Sequence, residues 1–106
     1  MRFSVIVPTF GRPEEVKELL SSFLDQDNKD FEIIIVDGSL DTLLEKVIGE
    51  FKSKINIRYF YKKGLGISDS RNLGANKARG EYLVFMDSDC IVSPDYFRAV
   101  NNFLSK

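Results

Sequence analysis

The sequence predicts an α/β fold in which a mainly parallel sheet lies between two helical layers, and three observations carry that prediction. Short apolar runs rich in β-branched and aromatic residues (Phe3 to Val7, Phe31 to Val36, Ile55 to Tyr61 and Tyr82 to Met86) punctuate the chain. Between them lie stretches whose apolar residues recur at helical spacing. The resulting order is βαβαβαβα, and helical crossovers of this length join parallel strands through right-handed connections. No repeat, linker or low-complexity segment interrupts the pattern, so residues 1–106 read as a single domain. A chain of that size buries roughly two-thirds of its unfolded surface.

The first strand ends at Pro8-Thr9, and Pro13-Glu14-Glu15 opens a helix with proline in the first turn and acids at the positive end of the dipole. Val16, Leu19, Leu20, Phe23 and Leu24 mark its apolar face. The second strand ends at Asp37-Gly38-Ser39, and Leu43, Leu44, Val47, Ile48 and Phe51 mark a second helix. After the third strand, Lys63-Gly64-Leu65-Gly66 is a turn. A third helix then runs from about Ile67 to Arg79, with Gly80 placed to end it. The five apolar residues from Tyr82 to Met86 fit a strand buried on both faces. Beyond them, Ser93 is placed to cap a fourth helix that holds Pro94 in its first turn and carries Tyr96, Phe97, Val100, Phe103 and Leu104 on one face.

Composition narrows the function. A net charge of −1 with dispersed lysines and arginines argues against a nucleic-acid partner. The absence of histidine removes imidazole metal sites and imidazole bases, and the single Cys90 allows no intrachain disulfide, which fits a reducing cytoplasm. Cys90 reads as a small packed hydrophobe rather than a soft metal ligand. No stretch reaches the roughly eighteen apolar residues of a membrane-spanning helix. The expected location is cytoplasmic, with the cytoplasmic membrane surface as a variant of it.

Chemistry gathers at the strand ends. Pro8-Thr9, Asp37-Gly38-Ser39, Lys63-Gly64-Leu65-Gly66 and Asp87-Ser88-Asp89 would share the carboxyl edge of a parallel sheet, where a nucleotide-like ligand sits. If the backbone stays extended past Met86, Asp87 and Asp89 point the same way and face one ligand or one divalent cation. Taken alone, the pair fits acids that cap the next turn better than a ligand site, and the rest of the chain decides between the two. Arg71, one turn into the third helix, either reaches a phosphate or base over the crevice or pairs with Asp69 or Glu81.

Ser4-Val5-Ile6-Val7-Pro8-Thr9-Phe10, Ile34-Ile35-Val36-Asp37-Gly38-Ser39, Gly66-Ile67-Ser68-Asp69-Ser70-Arg71-Asn72-Leu73-Gly74, Gly80-Glu81-Tyr82 and Asp87-Ser88-Asp89, in that order, resemble the nucleotide-sugar-binding half of a family 2 glycosyltransferase of the GT-A fold. The resemblance implies that Thr9 lies beside the base, Asp37 contacts the uracil or ribose, and Arg71 helps hold the nucleoside. It also implies that Asp87 reaches the ribose or a metal-bound water and that Asp89 ligates Mn²⁺ or Mg²⁺. With Pro8, Gly66 and Ser88 these form the expected site for a nucleoside-diphosphate sugar, a UDP-sugar first, with Asp87 and Asp89 at the metal. A cation held by carboxylates suits such a reaction, because the leaving diphosphate gains negative charge that no histidine or basic cluster is present to absorb.

The resemblance further implies a second half that binds the acceptor and supplies the carboxylate base, so the expected sheet is one cut before that half. No catalytic base is assigned, since Asp69 and Asp95 fall in first helical turns where capping explains them. Exposed apolar surface is then expected near the C-terminus, at Tyr96, Phe97 and Phe103, and with it a homodimer through the last helix or the sheet edge. The competing reading is a nucleotide or nucleotide-sugar binding module without turnover. A phosphoacceptor receiver domain is excluded, for it needs acids after the first strand and an aspartate after the third, where this chain has Pro8-Thr9 and Lys62-Lys63.

Overall fold

A computed structural model describes residues 1–105 and contains all eight expected elements. In chain order they are β1 (Phe3–Thr9), α1 (Pro13–Phe23), β2 (Phe31–Asp37), α2 (Leu43–Phe51), β3 (Ile57–Tyr61), α3 (Ile67–Lys77), β4 (Tyr82–Phe85) and α4 (Tyr96–Leu104). The four strands form one sheet in the order β3-β2-β1-β4, and every neighbouring pair is parallel. Register places Thr9 beside Asp37 and Asp37 beside Tyr61, so these carboxyl ends finish level with one another.

Alternation along β1 and β2 divides the core between two layers. Phe3, Val5, Val7, Phe31, Ile33 and Ile35 face α1, α2 and α4, burying Val16, Leu19, Leu20, Phe23, Leu44, Ile48 and Phe97 with them. Phe97 holds α4 down by stacking on Phe31 with ring centroids 4.6 Å apart, with Phe3 at 5.1 Å. The other face is covered by α3. Gly74 permits this, since a Cβ there would lie 2.4 Å from Ile6 Cγ2, so a larger residue would lift the helix off the sheet.

A buried carboxylate fixes the far end of α3. Glu32 is fully buried near the amino-terminal end of β2 and accepts hydrogen bonds from Ser4 Oγ at 2.6 Å, Arg58 Nη1 at 3.1 Å and the Arg79 N–H at 2.8 Å. Arg58 also donates to the Lys77 carbonyl at 2.6 Å, and the Gly80 N–H donates to Ser4 Oγ at 2.8 Å. Burial pushes the Glu32 carboxyl up, but the hydrogen bonds from Ser4, Arg79 and Arg58, with the charge of Arg58, outweigh it and leave the group below its ordinary value.

Several sequence expectations are corrected. The strand Tyr82–Phe85 is not buried on both faces. It is an edge strand, and Tyr82, Leu83 and Phe85 stand exposed. An unbroken apolar run reads the same in a central strand and in an edge strand awaiting a cover. Helix α3 ends at Lys77, with Ala78 already extended. Gly80 does not cap it but lets the chain cross β1, where a Cβ would come within 2.8 Å of the Phe3 and Ser4 backbone. The first strand runs through Pro8 to Thr9, and the third begins two residues later than the apolar run. Helix α4 starts at Tyr96 after Pro94, and Ser93 Oγ donates to Asp95 Oδ1 instead of capping. Of the three aromatics expected to be exposed near the C-terminus, Phe97 is in the core, Tyr96 packs against it, and Phe103 alone stands exposed, at 72%.

Candidate active site

Three loops at the carboxyl edge are stitched together by main-chain hydrogen bonds. The Gly38 N–H donates to the Thr9 carbonyl at 3.0 Å, and the Gly64 N–H donates to the Gly38 carbonyl at 2.8 Å. Glycine is required at position 38, because a Cβ would meet the Leu65 carbonyl oxygen at 2.2 Å. Gly64, with φ of +78°, turns the third loop back toward α3.

On this edge the end of β1 and the segment after β4 enclose a cleft of about 380 Å³. Pro8, Thr9, Asp87, Ser88 and Asp89 line it together, as the strand-end argument expects. Phe10, Arg12, Glu15 and Ile67 complete the wall. The backbone does not stay extended past Met86. Instead the Cys90 N–H donates to the Asp87 carbonyl at 3.2 Å, closing a turn with Ser88 and Asp89 at its centre. Both carboxylates nevertheless border the same cleft and are exposed, whereas Ser88 is buried. The segment that follows is anchored to α1 through Gln26, which donates to the Ser93 carbonyl at 2.5 Å, and through Ser22 Oγ, which accepts the Val92 N–H at 3.1 Å.

Arg71 leans from α3 toward Asp87, Nη2 to Oδ1 3.8 Å, and pairs with neither Asp69 nor Glu81. Both side chains are substantially exposed, so the pair is a weak one, worth about 0–1 kcal/mol and readily exchanged for another anion. Thr9 is the opposite case. Its Oγ1 is buried and has no hydrogen-bond partner among the described residues, a condition that costs about 1–3 kcal/mol until something satisfies it. Gly66 caps α3 at φ −73° with nothing within 4 Å of an added Cβ, so neither strain nor crowding requires glycine there.

Asp37 does not line the cleft. It is fully buried, with Oδ1 accepting the Ser39 N–H at 2.9 Å together with the Ser39 hydroxyl, and Oδ2 accepting the Tyr59 hydroxyl at 2.6 Å. Burial pushes the Tyr59 phenol well above its ordinary value, and the hydrogen bond to Asp37 adds to the shift. Sequence reasoning missed Tyr59 as a partner of Asp37. Strand alternation held the signal, since Asp37 faces Tyr61 in register and Tyr59 shares that face two residues earlier. Phe10, Arg12 and Glu15 carried no comparable signal before the loop was folded.

Among the described residues no group of three acidic, histidine or cysteine side chains converges as a closed metal cage. Asp87 and Asp89 supply hard oxygen donors at an open cleft, which suits a cation that keeps positions for water and phosphate oxygens.

The sequence model for glycosyl transferase family 2 matches residues 4–106. An uncharacterized glycosyltransferase of Rickettsia felis is 39% identical over 110 residues, covering 97% of this chain and 18% of that protein. The chain also resembles the poly(ribitol-phosphate) beta-N-acetylglucosaminyltransferase TarS of Staphylococcus aureus, at 28% identity over all of this chain and 19% of TarS. The crystal structure of S. aureus TarS 1-349 in complex with UDP-GlcNAc superposes with a TM-score of 0.90 at 31% identity, over 99% of this chain and 31% of that one. The mannosyltransferase PcManGT from Pyrobaculum calidifontis, in complex with GDP-Man and Mn²⁺, shares the fold at a TM-score of 0.87 and 22% identity. The chain thus spans 18–31% of the length of these relatives. With a parallel four-stranded α/β sheet of the GT-A type and an acidic cleft at its carboxyl edge, this chain belongs to glycosyl transferase family 2.

Proposed function

We propose that this chain binds the nucleoside-diphosphate moiety of a sugar donor, a UDP-sugar in the first instance, together with Mn²⁺ or Mg²⁺, for transfer of the sugar to an acceptor in the cytoplasm. The observation that carries the reading is the meeting, in one cleft, of an unpartnered buried Thr9 hydroxyl with two exposed aspartates, one of them loosely held by Arg71. Thr9 offers a donor and acceptor to the nucleoside beside the Pro8 wall. Arg71 leaves Asp87 at little cost to reach a phosphate. Asp89, helped by Asp87, would hold the cation, which when bound neutralises the charge that develops on the departing diphosphate. Ser88 is buried in the turn between the two aspartates. Gly66 leaves the space over the first turn of α3 open to the donor. The UDP-GlcNAc carried by TarS supports uridine as the nucleoside. No catalytic base is assigned within this chain.

Calorimetric titration with UDP and UDP-GlcNAc in the presence of Mn²⁺ tests the reading. Binding is expected, weakened about tenfold or more in Arg71→Ala, which deletes a charge-assisted contact of about 1.5–3 kcal/mol. Undiminished affinity in Arg71→Ala would remove that residue from the site.

A further inference from the structure

The second strand ends in three residues that send no side chain freely into the cleft. Asp37 is fully buried, Gly38 has no side chain and no room for one beneath the Leu65 carbonyl, and Ser39 is buried. Their side-chain polar atoms are engaged by one another and by the neighbouring segments. The Ser39 hydroxyl donates to Asp37 Oδ1, which leaves its oxygen free to accept the Gly11 N–H at 2.6 Å. From the other side Tyr59 donates to Asp37 Oδ2 at 2.6 Å, and Tyr61 donates to the Ser39 carbonyl at 2.9 Å. A continuous hydrogen-bonded line therefore runs from β3 through the end of β2 to the loop between β1 and α1. Gly11, with φ of +64°, stands in that loop between Phe10 and Arg12, both of which wall the cleft opposite Asp87 and Asp89.

We infer that Asp37 is a positioning residue rather than a nucleoside contact, its carboxylate orienting the Ser39 hydroxyl so that Ser39 pins Gly11 and sets the cleft wall formed by Phe10 and Arg12. The inference rests on the reading of the cleft as a nucleotide site. A carboxylate that touched the base would have an oxygen directed at solvent or at the cleft. This one has both oxygens engaged by neighbours and no exposed surface. Because the wall, and not a base edge, is what Asp37 controls, loss of the pin acts on every nucleotide alike.

The test pairs two readouts on wild type, Asp37→Ala and Ser39→Ala. Amide hydrogen exchange followed by NMR reports the pin without any ligand. The Gly11 amide is expected to be protected in wild type and to exchange at least about tenfold faster in both variants, while the Ile33 amide, which donates to the Asn56 carbonyl at 2.8 Å, stays protected and shows that the sheet is intact. Titration with UDP and GDP, each with Mn²⁺, is expected to show both affinities falling by the same factor in Ser39→Ala. Unchanged Gly11 exchange in Ser39→Ala would overturn the pin, and Ser39→Ala suffices where Asp37→Ala does not fold. A loss confined to one nucleotide in Asp37→Ala, with Ser39→Ala silent, would overturn the inference in favour of direct base contact. If wild type binds neither nucleotide, the reading of the cleft fails, and the Gly11 exchange still decides whether the pin exists.

Discussion

Glu32 and Asp37 show how differently two buried carboxylates on one strand can be used. Glu32, at the amino-terminal part of β2, ties the last turn of α3 and the Gly80 crossing to the sheet, and its folded-state value lies below the ordinary 4.5. A depressed carboxylate contributes stability that is present above the unfolded value and is lost as the pH falls through the folded one. Glu32→Gln is therefore expected to destabilise by about 1–3 kcal/mol near neutrality, with the gap to wild type closing as the pH falls below 4.5; urea unfolding at pH 7 and pH 3.5 measures both. A gap that widened in acid would contradict the assignment. Two glycines of the third motif separate in the same way. Gly74→Ala puts a methyl 2.4 Å from Ile6 Cγ2 and should cost about 1–3 kcal/mol by thermal unfolding. Gly66→Ala meets open space at an ordinary φ and should leave stability within about 0.5 kcal/mol, so that any defect appears in nucleotide titration instead. The sequence offers both as helix-associated glycines, and only the packing of α3 on Ile6 and Val36 tells them apart.

At the scale of elements, periodicity located every helix and strand but left their neighbours open. Phe97 and Phe103 both fall on the apolar stripe of α4, yet Phe97 stacks among Phe3, Phe23 and Phe31 while Phe103 faces solvent. Phe97→Ala is expected to cost about 3–5 kcal/mol and to free α4, whereas Phe103→Ala should change stability by no more than about 0.5 kcal/mol; denaturant titration separates them. The same limit explains the edge strand. Tyr82 to Met86 has the composition of a central strand, but composition does not say which strand lies alongside, and the sheet order β3-β2-β1-β4 leaves one side of it unpaired. Helix ends were the least legible feature, because Ala78 leaves the helical region without a glycine and the Gly80 position answers to a strand crossing far away in sequence.

Across the whole molecule, the geometry of the candidate site was legible where it depends on topology and illegible where it depends on loop conformation. A parallel sheet brings strand ends to one edge by construction, so Pro8, Thr9, Asp87, Ser88 and Asp89 meet as the motif order implies. The turn at Asp87 to Cys90, the inward rotation of Asp37 and the contribution of Phe10 and Arg12 follow from local hydrogen bonds that no spacing rule encodes. The central claim is that the cleft holds a nucleoside diphosphate through a divalent cation on Asp89. Its most direct test is calorimetry with UDP in the presence of Mn²⁺ and again in a chelator, on wild type and on Asp89→Asn, an exposed substitution that should leave the fold intact. The account predicts metal-dependent binding in wild type and loss of that dependence in Asp89→Asn; equal affinity with and without the metal in wild type, or a metal dependence undiminished in Asp89→Asn, would contradict it.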